Sequence, residues 1–133
     1  MQLERLYQDY VAAWLSHDTE AILRFFADDG VYEDVALATI SRSKAQIREF
    51  VQASLTAIPD LGIEPKQVFA TADRLCSEWT MSGTHTGSFP GLPGTGKRFS
   101  VEVASVLEWQ DGKIRRNTDY WNLASFLQQV GAT

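Results

Sequence analysis

The sequence predicts a single α+β domain: a cone-shaped, curved antiparallel sheet with helices across its concave face, enclosing a ligand cavity. Three observations predict it. Helical periodicity is confined to residues 3–58 and 123–130, and period-two alternation runs through residues 63–122. Helices grouped ahead of a block of strands also favour antiparallel pairing over alternating parallel units. The length of 133 residues fits the ~150 that one domain usually takes, so one domain over 1–133 is expected. A hydrophobic content of 44%, with 11% aromatic, supplies a core and excludes a disordered chain.

Apolar residues at 3, 6, 7, 10, 14 and 15 mark one face of a first helix ending near Ser16-His17. Asp18 is placed to cap a second, short helix with Ala21, Ile22, Phe25 and Phe26 as its buried stripe. Asp28-Asp29-Gly30 breaks that helix and leads into a short strand at 31–35. Ser43-x-x-Gln46 is a capping box for a third helix, whose apolar stripe runs through 47, 50, 51, 54, 55 and 58 until Pro59 closes it. Four strands follow near 63–72, 74–86, 98–109 and 113–122, the last two joined by the hairpin pair Asp111-Gly112. The Gly- and Pro-rich stretch 87–97 is long enough to be a lid. A closing helix from Leu123 to Val130 stops at Gly131.

Twelve basic against seventeen acidic side chains give a net charge of −5, the wrong sign for a protein that works on nucleic acid or an anionic membrane. The single cysteine, Cys76, cannot close an internal disulfide, which favours a reducing, cytoplasmic setting. The N-terminus carries no charged-then-apolar leader, and no apolar run approaches the ~18 residues of a membrane span. Gly91-x-x-x-x-Gly96-Lys97 nearly matches a phosphate-binding loop, but Arg98 stands where Ser or Thr is needed and a strand follows instead of a helix. Ser41-x-x-Lys44 reads as a helix start, not as a nucleophile motif. The two histidines, His17 and His85, show no ligand spacing, so no metal is expected.

Inward-facing acids carry the sharper signal. Asp119 shares strand parity with Trp121, and Asp34 with Tyr32, so each pair points to one side of its strand. A buried, unpaired carboxylate costs several kcal/mol, so each acid must be paired or raised in pKa. A structural role and a catalytic one both satisfy this for either residue alone. His85 shares parity with Leu75, Trp79 and Met81, which places it on the interior face, either as a core-edge histidine or as an acid/base group. Tyr10, Trp14, Tyr32, Trp79, Phe89 and Trp121 suit a core as well as a pocket. Four tryptophans in a domain this small fit a flat apolar ligand.

The segments 26–34 (Phe-Ala-Asp-Asp-Gly-Val-Tyr-Glu-Asp), 43–50, Gly83-Thr84-His85-Thr86-Gly87, and Asp111-Gly112-Lys113-Ile114 continuing into Asp119-Tyr120-Trp121-Asn122 resemble the nuclear transport factor 2-like superfamily. Within it the resemblance is to SnoaL-like polyketide cyclases and ketosteroid isomerases, across essentially the whole chain. It implies cofactor-independent proton transfer next to a carbonyl of a small hydrophobic ligand, and a homodimer formed through the outer sheet face. Asp119 matches the cyclase acid/base on the last strand. Asp34 matches the isomerase base, and Tyr10 the first-helix tyrosine that hydrogen-bonds the developing oxyanion. Ser105 stands where isomerases place a protonated aspartate and cyclases a histidine. With Asp119 as acid/base, His85 is expected to shuttle the proton, and Ser105, Asn117 and Met81 to line the ligand site beside the aromatics. Two rivals follow from the same cone: a binding protein that has lost its chemistry, and an epoxide hydrolase-like enzyme using Asp119 with Arg115.

Overall fold

The structure is a computed structural model, described here for residues 2–89 and 92–132. The first helix, α1 (Gln2–Leu15), buries Leu3, Tyr7, Tyr10, Val11 and Trp14 along one stripe. Asp18 caps α2 (Thr19–Leu23), its carboxylate accepting the backbone N–H of Glu20 at 3.0 Å and of Ala21 at 3.3 Å. Two strands follow, β1 (Phe26–Asp34) and β2 (Thr39–Arg42), and then α3 (Lys44–Ala57), capped by Ser43. The remaining strands are β3 (Gly62–Ala70), β4 (Arg74–Thr84), β5 (Arg98–Gln110) and β6 (Lys113–Trp121). The last helix, α4 (Leu123–Val130), is capped by Asn122 and ends on Gly131 in the left-handed region.

The six strands form one sheet in the order β2-β1-β6-β5-β4-β3, open at β2 and β3. Its inner face is the core: along β5, residues 99, 101, 103, 105 and 107 are buried while 98, 100, 102 and 104 face out. α1 and α3 lie over this face and α4 packs on β5. Edge strand β3 tolerates Pro65, which has no N–H to donate, and the register shifts by one residue there. No helix among the described residues is long and apolar enough to cross a membrane.

The expected architecture holds, with four local differences. β1 and β6 run parallel while every other pair is antiparallel, because the chain from β1 passes through β2, α3 and three further strands before returning beside it. β2 is too short to show alternation in the sequence and was not expected. α2 stops at Leu23, and Phe26 begins a strand instead of extending the helical stripe; Ile114 N–H holds Phe25 C=O at 2.7 Å and fixes that exit. Finally, the 87–97 stretch is hydrogen-bonded to the body at both of its described ends. Thr95 and Gly96 donate to His85 C=O at 3.0 and 2.7 Å, and Gly87 N–H donates to Ala57 C=O at 2.9 Å. Pro90 and Gly91, within that stretch and the discarded phosphate motif, lie outside the described residues.

The cap on α2 sets a measurable expectation. Asp18→Ala should lower unfolding stability by about 1 kcal/mol in a urea titration, with no change in the denaturant slope.

Candidate active site

Sheet register builds the site. Asp34 of β1 is the neighbour of Asp119 on β6, Asp119 of Ser105 on β5, and Ser105 of Ser77 on β4. Paired residues share a face, so these four side chains form a polar row across the inner surface. All four are buried. One step along, Tyr32 pairs with Asn117.

Asp119 is held by donors on both oxygens. Ser105 Oγ donates to Oδ1 at 2.6 Å, Asn117 Nδ2 donates to the same oxygen at 2.7 Å, and the Tyr32 hydroxyl donates to Oδ2. A second tier orients the first: Trp79 Nε1 donates to Ser105 Oγ at 2.9 Å and the Tyr10 hydroxyl donates to Asn117 Oδ1 at 2.8 Å. Burial pushes the Asp119 carboxyl up, and its three donors pull against that. With its two Oδ1 bonds and one Oδ2 bond, the carboxylate keeps a lone pair on Oδ2 uncommitted.

Asp34 is anchored more lightly. Leu37 N–H donates to Oδ1 at 2.9 Å, and Trp121 Nε1 straddles both oxygens at 3.1 Å. Burial raises its carboxyl to about 6, against the pull of the Leu37 and Trp121 donors and with a further push from the Asp119 charge. Asp34 and Asp119 are register neighbours in a dry site, so a charge on one raises the proton affinity of the other.

Both acids open into one cavity of about 70 Å³ whose wall is otherwise almost wholly apolar. The volume accommodates a few waters, and less than the ~150 Å³ engineered cavity that admits benzene. A larger guest has to displace side chains, and Leu37, Phe50, Met81 and Phe89 are among those only half-buried in this wall. The cavity is lined by Tyr10, Asp34, Asp119, Trp14 and Tyr32, and also by Trp79, Met81, Phe89, Ser105, Asn117 and Trp121. The expected site residues therefore converge, with one exception.

That exception is His85. β4 ends at Thr84, but His85 N–H still donates to Lys97 C=O at 2.9 Å, so strand parity carries one residue further and turns the ring into the core, as expected, though not into the cavity. The imidazole is fully buried, stacked on Phe89 at 5.6 Å and edge-on to Phe126 at 5.3 Å. Those two rings line the cavity and His85 does not, so the ring expected as a shuttle packs behind the wall instead of in it. Thr95 Oγ1 lies 3.3 Å from Nδ1, Nε2 has no partner among the described residues, and burial lowers the ring's basicity.

The arginines are also elsewhere. The register shift between Glu108 and Trp109 makes Arg115 an extra, exposed residue, and Arg116 faces outward to Glu33. No arginine lines the cavity, so the Asp–Arg–Asp set of an epoxide hydrolase is not assembled. Sequence reading missed Tyr7, which lines the cavity and sits 2.5 Å from Ser77 Oγ. Its place on the α1 stripe, three residues before Tyr10, was the available signal.

The raised Asp34 carboxyl has a thermodynamic sign. The folded state binds its proton more tightly than the unfolded chain, so this group's stabilising contribution is lost as pH rises from about 4 through about 6. Asp34→Asn should therefore be more stable than the unaltered protein at pH 8, by roughly 1–3 kcal/mol. The advantage should vanish by pH 4 in paired denaturant titrations.

With this geometry in hand, the likenesses to known proteins can be placed. The SnoaL-like polyketide cyclase family matches residues 4–130. An aklanonic acid methyl ester cyclase of Streptomyces peucetius is 39% identical over 49 residues, 37% of this chain and 34% of that one. The match thus spans about a third of that relative's length. AclR of Streptomyces galilaeus, assigned provisionally as a hydroxylase, is similar in structure with a TM-score of 0.82 at 30% identity, over 98% of this chain and 85% of that one. A protein of Jannaschia sp. CCS1, provisionally a SnoaL-like polyketide cyclase, gives a TM-score of 0.89 at 13% identity, over 99% of this chain and 93% of that one, a likeness of fold. With the family matched from residue 4 to residue 130, this chain belongs to the SnoaL-like polyketide cyclases.

Proposed function

We propose that the protein binds a small hydrophobic, polyketide-like ketone and moves a proton at the carbon next to its carbonyl, closing a ring or shifting a double bond. The observation that carries this reading is the pair Asp34 and Asp119, register neighbours whose carboxyls open into one apolar cavity. Asp119 takes the proton from the α-carbon, and the C–H electron pair becomes the enolate double bond while the carbonyl oxygen gains the charge. In a cyclisation the enolate carbon attacks a second carbonyl of the same molecule, and the new alkoxide takes a proton back. Asp34, protonated up to about pH 6, is the second proton carrier. Tyr10 acts one step removed, through Asn117, to hold Asp119 in place. No oxidant or cofactor enters these steps.

The test is deuterium exchange at the α-carbon of a panel of enolisable ketones in heavy water. Asp119→Asn should cut the exchange rate by ~10²–10⁴-fold, the usual worth of a positioned base, while the melting temperature stays within a few degrees. The rate should fall as pH rises through about 6, where Asp34 gives up the proton that makes it the second carrier. Full exchange in the Asn variant would end the assignment. Ketone binding without exchange in the unaltered protein would make it a carrier, a reading favoured by the three donors that already hold Asp119.

We also read the outer sheet face as the contact of a homodimer. Phe69 is 62% exposed and Tyr120 49%, and Phe69 sits opposite Cys76, which sits opposite Val106. An apolar strip on an otherwise charged face favours a second copy over water. Phe69→Glu should shift light-scattering mass from dimer to monomer at micromolar concentration, with cavity binding retained.

A further inference from the structure

We propose that Tyr7, set by Ser77, donates the hydrogen bond that receives the substrate's carbonyl oxygen; this rests on the ketone reading above. An inventory of hydroxyl hydrogens in the cavity wall leads to it. Tyr10 gives its hydrogen to Asn117, Tyr32 and Ser105 give theirs to Asp119, and Ser54 gives its own to the Phe50 carbonyl. The indole N–H groups of Trp79, Trp121 and Trp14 are likewise engaged, by Ser105, Asp34 and the Tyr10 oxygen. Tyr7 and Ser77 are different. Their oxygens lie 2.5 Å apart, and neither has another partner among the described residues. Two hydroxyls carry two hydrogens, and a bond between them uses one.

The leftover hydrogen is buried, and a buried donor without an acceptor is rare enough to need an explanation. Ser77 is 1% exposed and lies behind the wall, whereas Tyr7 is part of it. When Ser77 donates to Tyr7, the phenol hydrogen is released toward the cavity. The chain Ser77 to Tyr7 to ligand oxygen then polarises the phenol and strengthens its outer bond. Burial raises the Tyr7 hydroxyl above its ordinary pKa, so it stays protonated and donating throughout the neutral range. Asn117 keeps a second amide hydrogen, but an amide is a far weaker acid than a phenol and answers less to a growing negative charge.

Position agrees with chemistry. Ser77 and Asp119 both pair with Ser105, so they stand two strand spacings apart, ~10 Å between backbones. An oxygen held by Tyr7 leaves its neighbouring carbon on the Asp119 side, where the proton is taken. Tyr10, whose hydrogen is already committed, cannot serve without releasing Asn117 and loosening the base.

The experiment uses 1-indanone, whose oxygen can only accept, and indane, the same frame without it. Binding is titrated by calorimetry, and the infrared carbonyl band of the bound ketone is recorded. The unaltered protein should prefer the ketone, with the band shifted down. Tyr7→Phe should weaken 1-indanone about tenfold, leave indane unchanged and return the band toward its position in apolar solvent. Tyr10→Phe should keep the preference. Loss of preference in Tyr10→Phe but not in Tyr7→Phe, or equal weakening of both compounds by Tyr7→Phe, overturns the assignment. Should Tyr7→Phe fail to fold, Ser77→Ala reads the same band: a partial return supports the chain and an unmoved band overturns it. Indane binding with no ketone preference in the unaltered protein sinks the Tyr7 role alone. Failure to bind either compound sinks the ketone cavity and this inference together.

Discussion

A carboxyl group taken out of water must be compensated, and the interior of this protein is organised around doing so twice within one strand spacing. Asp34 and Asp119 are neighbours because β1 and β6 lie side by side in parallel register, and that pairing exists because the chain crosses over through α3 before it returns. The two acids are compensated unequally. Asp119 has three donors, two of which, Ser105 and Asn117, are themselves held by Trp79 and Tyr10, whereas Asp34 relies on the Leu37 N–H and one indole shared between its oxygens. Unequal support separates their proton affinities, and that separation lets one group accept a proton while the other carries one.

The surrounding apolar wall amplifies this arrangement. With little water in the cavity, a charge forming on a guest is felt strongly by nearby dipoles, and each donor must already be aimed. The hydrogen-bond chains converging on Asp119 supply that aim: four of its five supporting side chains sit on the sheet, and only Tyr10 reaches in from a helix.

Strand parity made much of this readable in the sequence. Alternation placed Asp119 with Trp121 and Asp34 with Tyr32 on inward faces, and both pairs line the cavity. Local signals at Asp18, Ser43 and Gly131 located helix ends, because a cap is a matter of neighbouring residues. Pairings between distant segments were not readable. Nothing in residues 39–42 announces an edge strand, and the parallel β1–β6 register depends on the path of the whole chain. His85 shows the limit of parity itself: the rule turned the ring inward, but only the packing of Phe89 and Phe126 decides that it lies behind the cavity wall. Tyr7 shows a different limit, since its partner Ser77 is seventy residues away.

Apart from Trp121, whose indole holds Asp34 from β6, the half-buried part of the wall comes from different parts of the molecule than the acids do. Leu37 follows β1 in a turn, Phe50 belongs to α3, and Phe89 lies on the stretch between β4 and β5. None of these side chains holds either carboxyl in place. Guest shape and proton chemistry are therefore mounted on separable pieces of the fold. A descendant of this chain could widen, narrow or reshape its entrance by exchanging those few residues and inherit the acid pair intact, so selectivity can drift quickly on a reactive centre that stays put.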